Sequence, residues 1–208
     1  MTCDRTPGVR GTFDGTAATR GRGHKWTRRL ALQAVIFCAA AAASSSPAAA
    51  AKPRCAHASA SPSRLSAVAA THALECLING VRRDHHLRAV RAERHLARAA
   101  RRHSSDMTGH DYFGHVSPGG STLRSRVKRA GYLGGVHEWW LGEALAWGTS
   151  GAGAPRAILR GLLDSPPHRA ILLDPGFRDL GVGVAKGAPT ASGASALTVT
   201  LDFGRVRR

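Results

Sequence analysis

Apolar residues stand at helical spacing through the middle of this 208-residue chain. Between about residues 65 and 85, Leu74, Leu77, Ile78 and Val81 fall at i, i+3, i+4 and i+7, one face of an amphipathic helix. Residues 87–107 repeat the pattern with Val90, Leu96, Ala97, Ala100 and Met107, predicting a second helix. Ser121 or Thr122 can cap a short third helix that runs to Ala130 and ends at Gly131, and Pro155 opens a fourth, through Leu163. Strand patterns come later. Residues 139–147 are short and apolar, 180–185 contain G-V-G-V, and 197–203 alternate Leu197, Val199, Leu201 and Phe203 with polar positions. Residues 187–195, rich in Gly, Ser and Ala, form the expected hairpin loop. Mostly helices first and strands last, with no internal repeat, predict a single α+β layered domain.

The beginning of the chain bears on where the rest works. Residues 1–29 are rich in Gly, Arg and Thr and end in Lys25, Arg28 and Arg29. An apolar stretch follows at 30–43, the length of a signal-peptide core and too short to span a bilayer. Small residues at 44–51 place cleavage near Ala50 or Ala51. An uncleaved anchor is the alternative, and Arg28-Arg29 leaves general and twin-arginine export both open. Cys38 follows Phe37 and Cys55 follows Arg54, which excludes a lipoprotein signal at either. The expected organisation is a basic segment with a cleavable signal at 1–51, a polar linker at 52–64 and one domain at 65–208. The expected location is secreted or extracellular, with cell-wall association a further possibility.

Charge changes the picture only in part. The formal net charge is +17, and residues 52–208 carry 23 Lys and Arg against 11 Asp and Glu. Such a field favours polyanions, among them anionic lipid headgroups and phosphate-bearing envelope polymers. No aromatic or Gly-rich reading motif is interleaved with the arginines, so nucleic acid is not an expected partner. The Arg-rich stretch at 82–102 reads as a solvated helix surface, and His85, His86, His95, His103 and His110 read as solvated with it. Cys55 and Cys76, the even pair left after cleavage, predict one disulfide in an oxidising compartment. It would close a loop of about twenty residues, worth roughly 3 kcal/mol.

Candidate chemistry lies in three short segments: H-V-S-P-G-G at 115–120, G-E-A-L-A at 142–146 and D-S-P-P-H-R at 164–169. They supply His115, Glu143 and His168. Two neutral imidazoles and a carboxylate suit Zn²⁺ with an open position, and equally suit general acid and base work. A structural reading stands beside these: His168 bonded to a neighbouring loop, with Ser165 capping a helix whose first residue is Pro166, and Glu143 satisfying backbone N–H groups. No G-x-S-x-G elbow or H-E-x-x-H helix is present. Asp106 and Met107 end the second helix, and Tyr112-Phe113 anchor the loop that aims His115. Arg126 and Arg129 either hold an anionic ligand near the cleft or are surface charge. Of Trp139 and Trp140, alternation sends one ring to the core and leaves the other for a lipid or glycan.

In order, C-L-I-N-G-V-R-R, S-S-D-M-T-G-H-D-Y-F-G-H-V-S-P-G-G, R-A-G-Y, G-E-A-L-A-W-G, S-P-P-H-R-A-I-L, F-R-D-L-G-V-G-V and D-F-G resemble the bacterial secreted branch of the CAP superfamily (cysteine-rich secretory proteins, antigen five and pathogenesis-related proteins), over residues 74–204. The resemblance implies a three-layer α-β-α sandwich with a cleft lined by two His and two Glu. Its first His matches His115, its first Glu Glu143 and its second His His168. Ser165, with Asp164 adjacent, stands where the second Glu would be. Ala144 replaces an Asn, and Gly161 or a near neighbour replaces a Trp. The expected ligand-binding set is His115, Glu143, Ser165 and His168, with His115 and His168 as ligands of Zn²⁺ or another divalent cation. His115, Glu143 and His168 are the candidates for catalysis. The leading expectation is a monomer binding a lipid or an anionic cell-envelope polymer, with peripheral membrane contact. Alternatives are a metal-assisted hydrolase of peptide or cell-wall bonds, and an envelope interaction protein that uses its basic surface.

Overall fold

The computed structural model describes residues 55–190 and 195–207; the expected signal segment lies outside them. In chain order the elements are α1 (Ala67–Asp84), β1 (Arg91–Ala92), α2 (Arg94–Gly109), α3 (Leu123–Arg129), β2 (Glu138–Thr149), α4 (Pro155–Asp164), α5 (Pro166–Leu172), β3 (Asp179–Lys186) and β4 (Ala196–Arg207). The sheet order is β1-β3-β4-β2, with β1 parallel to β3 and the other neighbours antiparallel. β2 is therefore an outer strand.

Period-two patterning builds the layers. Val182 and Val184 of β3, Leu197 to Phe203 at alternate positions of β4, and Ala144 and Ala146 of β2 bury one face of the sheet. Against it pack Leu74 and Ile78 of α1, Ile158 and Leu162 of α4, and Leu172 of α5. The opposite face carries α2. A Cβ at Gly181 or Gly183 would run into the α2 backbone at Leu96 or Ala100, so these glycines let the helix sit directly on β3. Leu96, Ala99, Val127 and Tyr132 close that side, with Leu141 and Val206. Helices on both faces of one mixed sheet make the expected three-layer α-β-α sandwich.

Three local readings change. The helical pattern over 87–93 does not become helix: α1 ends at Asp84 with His85 as its cap, and His86 takes a left-handed conformation (φ 56°). The Asn79 side chain then exchanges two hydrogen bonds with the Val90 backbone, at 3.0 and 2.9 Å, and Arg91–Ala92 joins the sheet as β1. Glu93 accepts from the His95 and Leu96 amides and starts α2 there. Arg82, expected on a solvated face, is fully buried and donates to the Arg88, Leu172 and Asp174 carbonyls, tying α1 to the end of α5. The described part of the linker, from Cys55 on, is packed: Cys55 is disulfide-bonded to Cys76, and Ala58 and Pro62 are buried.

Candidate functional site

Glu143 lies in β2 directly opposite Asp202 of β4, and both side chains point to the face covered by α2 and α3. Each is buried. Glu143 is engaged at both oxygens: His115 Nδ1–H donates to Oε1 at 2.6 Å, and Arg126 Nη2 donates to Oε2. His103 Nε2 stands 4.0 Å from Oε2. Burial alone would push this carboxyl up, but the His115 hydrogen bond, the Arg126 charge and the two imidazoles outweigh it and hold it below its ordinary value. It is a carboxylate in a closed ion pair.

The sequence assembles that pair locally. Thr122 caps α3 through a reciprocal bond with Ser125, and Arg126 follows one turn in. Arg126 Nη1 also donates to the His115 and Ser121 carbonyls, at 3.0 and 2.8 Å, so one guanidinium holds both the loop and Glu143. On α2, His103 and Asp106 stand one turn apart and face the same loop. His103 Nε2–H donates to the Gly114 carbonyl at 3.0 Å, while the Tyr112 and Ser117 hydroxyls both donate to Asp106 Oδ2. Those bonds hold Asp106 below its usual range despite its burial, and burial with the Asp106 contact pushes the Tyr112 phenol to about 12. The spacing D-M-x-x-x-x-Y-F-x-H thus closes one turn of α2 onto the loop that aims His115.

Two members of the cluster were not among the sequence candidates. His103, expected to be solvated, is buried, and its pKa falls to about 4, chiefly from burial. Asp202 is fully buried beside Glu143 across the strand pair. Burial first, then the adjacent Glu143 charge, lifts it well above the ordinary carboxyl range, so it is a neutral acid beside an ionised one.

His168 comes from α5. Pro166 forces Ser165 into an extended conformation (φ −91°, ψ 115°), which separates α4 from α5. Ser165 occupies the N-cap position, but its hydroxyl makes no cap bond; it shares a 2.9 Å hydrogen bond with His168 Nδ1. Burial, and then the His115 charge, lowers the His168 pKa. His115 is thus bonded to Glu143, and His168 to Ser165. A groove beside the disulfide, lined by Cys55, His57, Leu77 and Arg156 among others, shares no residue with this cluster.

A divalent metal, implied by the resemblance, needs unengaged donors. Both Glu143 oxygens are taken, and Ser165 Oγ is on His168. Nε2 of His115 and of His168 remain. Among the described residues no group of three or more His, Cys, Asp or Glu is arranged to hold a metal. Two imidazoles fall short of the three or four protein ligands usual for zinc, so the residues present do not fit a protein-built metal centre.

Comparison with known proteins agrees with this architecture. Residues 76–203 match the model of the CAP family, described as the cysteine-rich secretory protein family. An uncharacterized membrane protein of Bacillus subtilis, YlbC, is 34% identical over 108 residues, covering 52% of this chain and 29% of that protein. The chain thus spans under a third of that relative. A crystal structure of an extracellular protein with an SCP domain from Bacillus anthracis is 30% identical, with a TM-score of 0.54 over 67% of this chain and 40% of that one. An outer surface protein of Borrelia burgdorferi shares the fold at 17% identity, with a TM-score of 0.56 over 69% of this chain and 97% of that one.

Proposed function

The chain belongs to the cysteine-rich secretory protein family, and on that premise we propose that it acts outside the cytoplasm as a binding module whose cleft takes a lipid or an anionic envelope polymer against His115 and His168. The Cys55–Cys76 disulfide supports an oxidising location, as does the likeness to an extracellular protein with an SCP domain. No helix among the described residues is long and apolar enough to cross a membrane.

One observation carries the choice of binding over hydrolysis: both Glu143 oxygens are engaged and its pKa is lowered. A general base must accept a proton from water within hydrogen-bond reach, and a buried carboxylate already bonded to His115 and Arg126, with its pKa lowered, is a weak base for that task. What it does is fix the His115 ring through Nδ1, leaving Nε2 free. His168, kept neutral by burial, offers a second Nε2 that donates or accepts according to its tautomer. Two such nitrogens suit a phosphate or hydroxyl group.

The test is calorimetry on the full chain and on His115→Ala/His168→Ala, titrating dihexanoyl phosphatidylglycerol, a glycerol-phosphate polymer and Zn²⁺ in turn. Saturable binding of the lipid or the polymer that the double variant loses supports the reading, and no saturable binding of either overturns it. Release of fragments from peptidoglycan by the wild type but not by Glu143→Gln would replace it with hydrolysis.

A further inference from the structure

Beyond the cleft, the far end of β2 carries a second feature. Trp139 and Trp140 are 40% and 38% exposed, two of the few large apolar side chains on the described surface. Alternation along the strand was expected to bury one ring, and the register explains why it does not. β3 begins at Asp179, opposite Gly204, so beyond that point Glu138–Trp140 of β2 pair only with Arg205–Arg207 of β4. The sheet ends there as a two-stranded ribbon, with Trp139 on the α3 side and Trp140 on the other. Each ring lies under a guanidinium: Arg124 of α3 stands 5.4 Å from the Trp139 centroid, and Arg205 and Arg207 stand 5.1 and 5.6 Å from that of Trp140. Arg207 pairs with Glu138 at 3.1 Å; Arg124 and Arg205 form no ion pair among the described residues.

We propose that this ribbon is a wedge that seats in the headgroup layer of an anionic lipid bilayer. Tryptophan favours the bilayer interface because its ring is apolar and its N–H is polar, and a guanidinium over the ring can reach lipid phosphate. The placement of the rings decides between a bilayer and a soluble polyanion. A polymer strand lies along one face and would meet one Trp. A bilayer entered end-on surrounds both faces, so both rings and both unpaired arginines are used together. The inference involves none of the cleft residues and stands apart from the cleft reading.

The test uses the full chain carrying Trp26→Phe/Trp147→Phe, so that only Trp139 and Trp140 fluoresce, with vesicles of phosphatidylglycerol mixed with brominated phosphatidylcholine. Contact of the rings with brominated acyl chains quenches them. Quenching is expected on these vesicles, absent on purely zwitterionic ones and reversed by raised salt. Arg124→Gln/Arg205→Gln should weaken it roughly thirty-fold, about five-fold for each charge near an anionic surface. Vesicle association without quenching would overturn the proposal, since some other segment would then be the anchor. Equal quenching on zwitterionic vesicles, or binding to a soluble glycerol-phosphate polymer in preference to vesicles, would overturn it too. Should the Phe substitutions disturb the fold, co-sedimentation with phosphatidylglycerol vesicles replaces quenching as the readout. Co-sedimentation of the wild type that Trp139→Ala/Trp140→Ala loses supports the wedge, and equal co-sedimentation by both counts against it.

Discussion

One strand, β2, carries two opposite solutions for polar and aromatic groups. At Glu143 it runs beneath α2 and α3, where every charge must find a partner inside the protein. Arg126 and His115 supply that, and Asp202 stays protonated because no further cation is at hand. At Trp139 and Trp140, four and three residues earlier, the covering layers have ended. There the rings and arginines meet solvent and each other, in pairs worth about 0.5–1 kcal/mol when exposed. The same strand is thus electrostatically closed at one end and available to a partner at the other. The difference lies in coverage rather than in residue type.

The sharpest way to break this contrast is to open the closed end. Arg126→Met leaves Glu143 buried without its cation and should cost about 3–5 kcal/mol in urea unfolding, while Arg126→Met/Glu143→Leu should recover most of that. A loss below about 1 kcal/mol in the single variant would mean that the ion pair is not closed as described.

Acid should open it next. The folded pKa of His103, about 4, lies below its ordinary 6.5, so as the pH falls the unfolded chain takes up this proton first. Stability from this group is whole above about pH 6.5 and is lost by about pH 4, amounting to about 3 kcal/mol. Glu143, also lowered, adds a further loss as the pH falls below its ordinary 4.5. Urea midpoints against pH should show the slope, and His103→Gln should flatten the upper part; an unchanged slope would place the proton uptake elsewhere.

Asp202 has the opposite sign. Its folded pKa is raised, so its contribution is whole below its ordinary 3.8 and is lost as the pH rises through the folded value. Asp202→Asn should therefore raise the midpoint at neutral pH, by something on the order of 1 kcal/mol, with the advantage vanishing toward pH 4. A constant offset at every pH would contradict a protonated Asp202.

Least affected should be the open end. Arg205→Gln should cost less than about 1 kcal/mol of stability, as expected for an exposed cation–π contact. A loss matching that of Arg126→Met would show that the ribbon tip is part of the core.

Much of the fold was legible in sequence because local physics writes it there. The helical period marked α1, the period of two marked β4, the short apolar and G-V-G-V runs marked β2 and β3, and proline and the Thr122 cap marked α3, α4 and α5. The ordered motifs named His115, Glu143 and His168, and the structure bonds the first to the second. Three things escaped. Val90 continued a helical pattern, but Asn79, eleven residues earlier, captured its backbone for the sheet. His103 read as part of a polar helix face, and Asp202 as one of the outward positions of an alternating strand.

The sequence by itself determined which residues share a face, since backbone geometry fixes the periods, and it determined the family through the order of its motifs. Whether a polar face meets water or a second layer was decided only by tertiary structure. Thr198, Thr200 and Asp202 alternate like a solvated face, yet all three are fully buried, because the α2 and α3 layer closes over that side of β4. That coverage turned a string of polar positions into a buried ion cluster, and its end at Gly204 left two tryptophans in the open. Period is a local property of the chain, whereas burial depends on elements brought together from far along it.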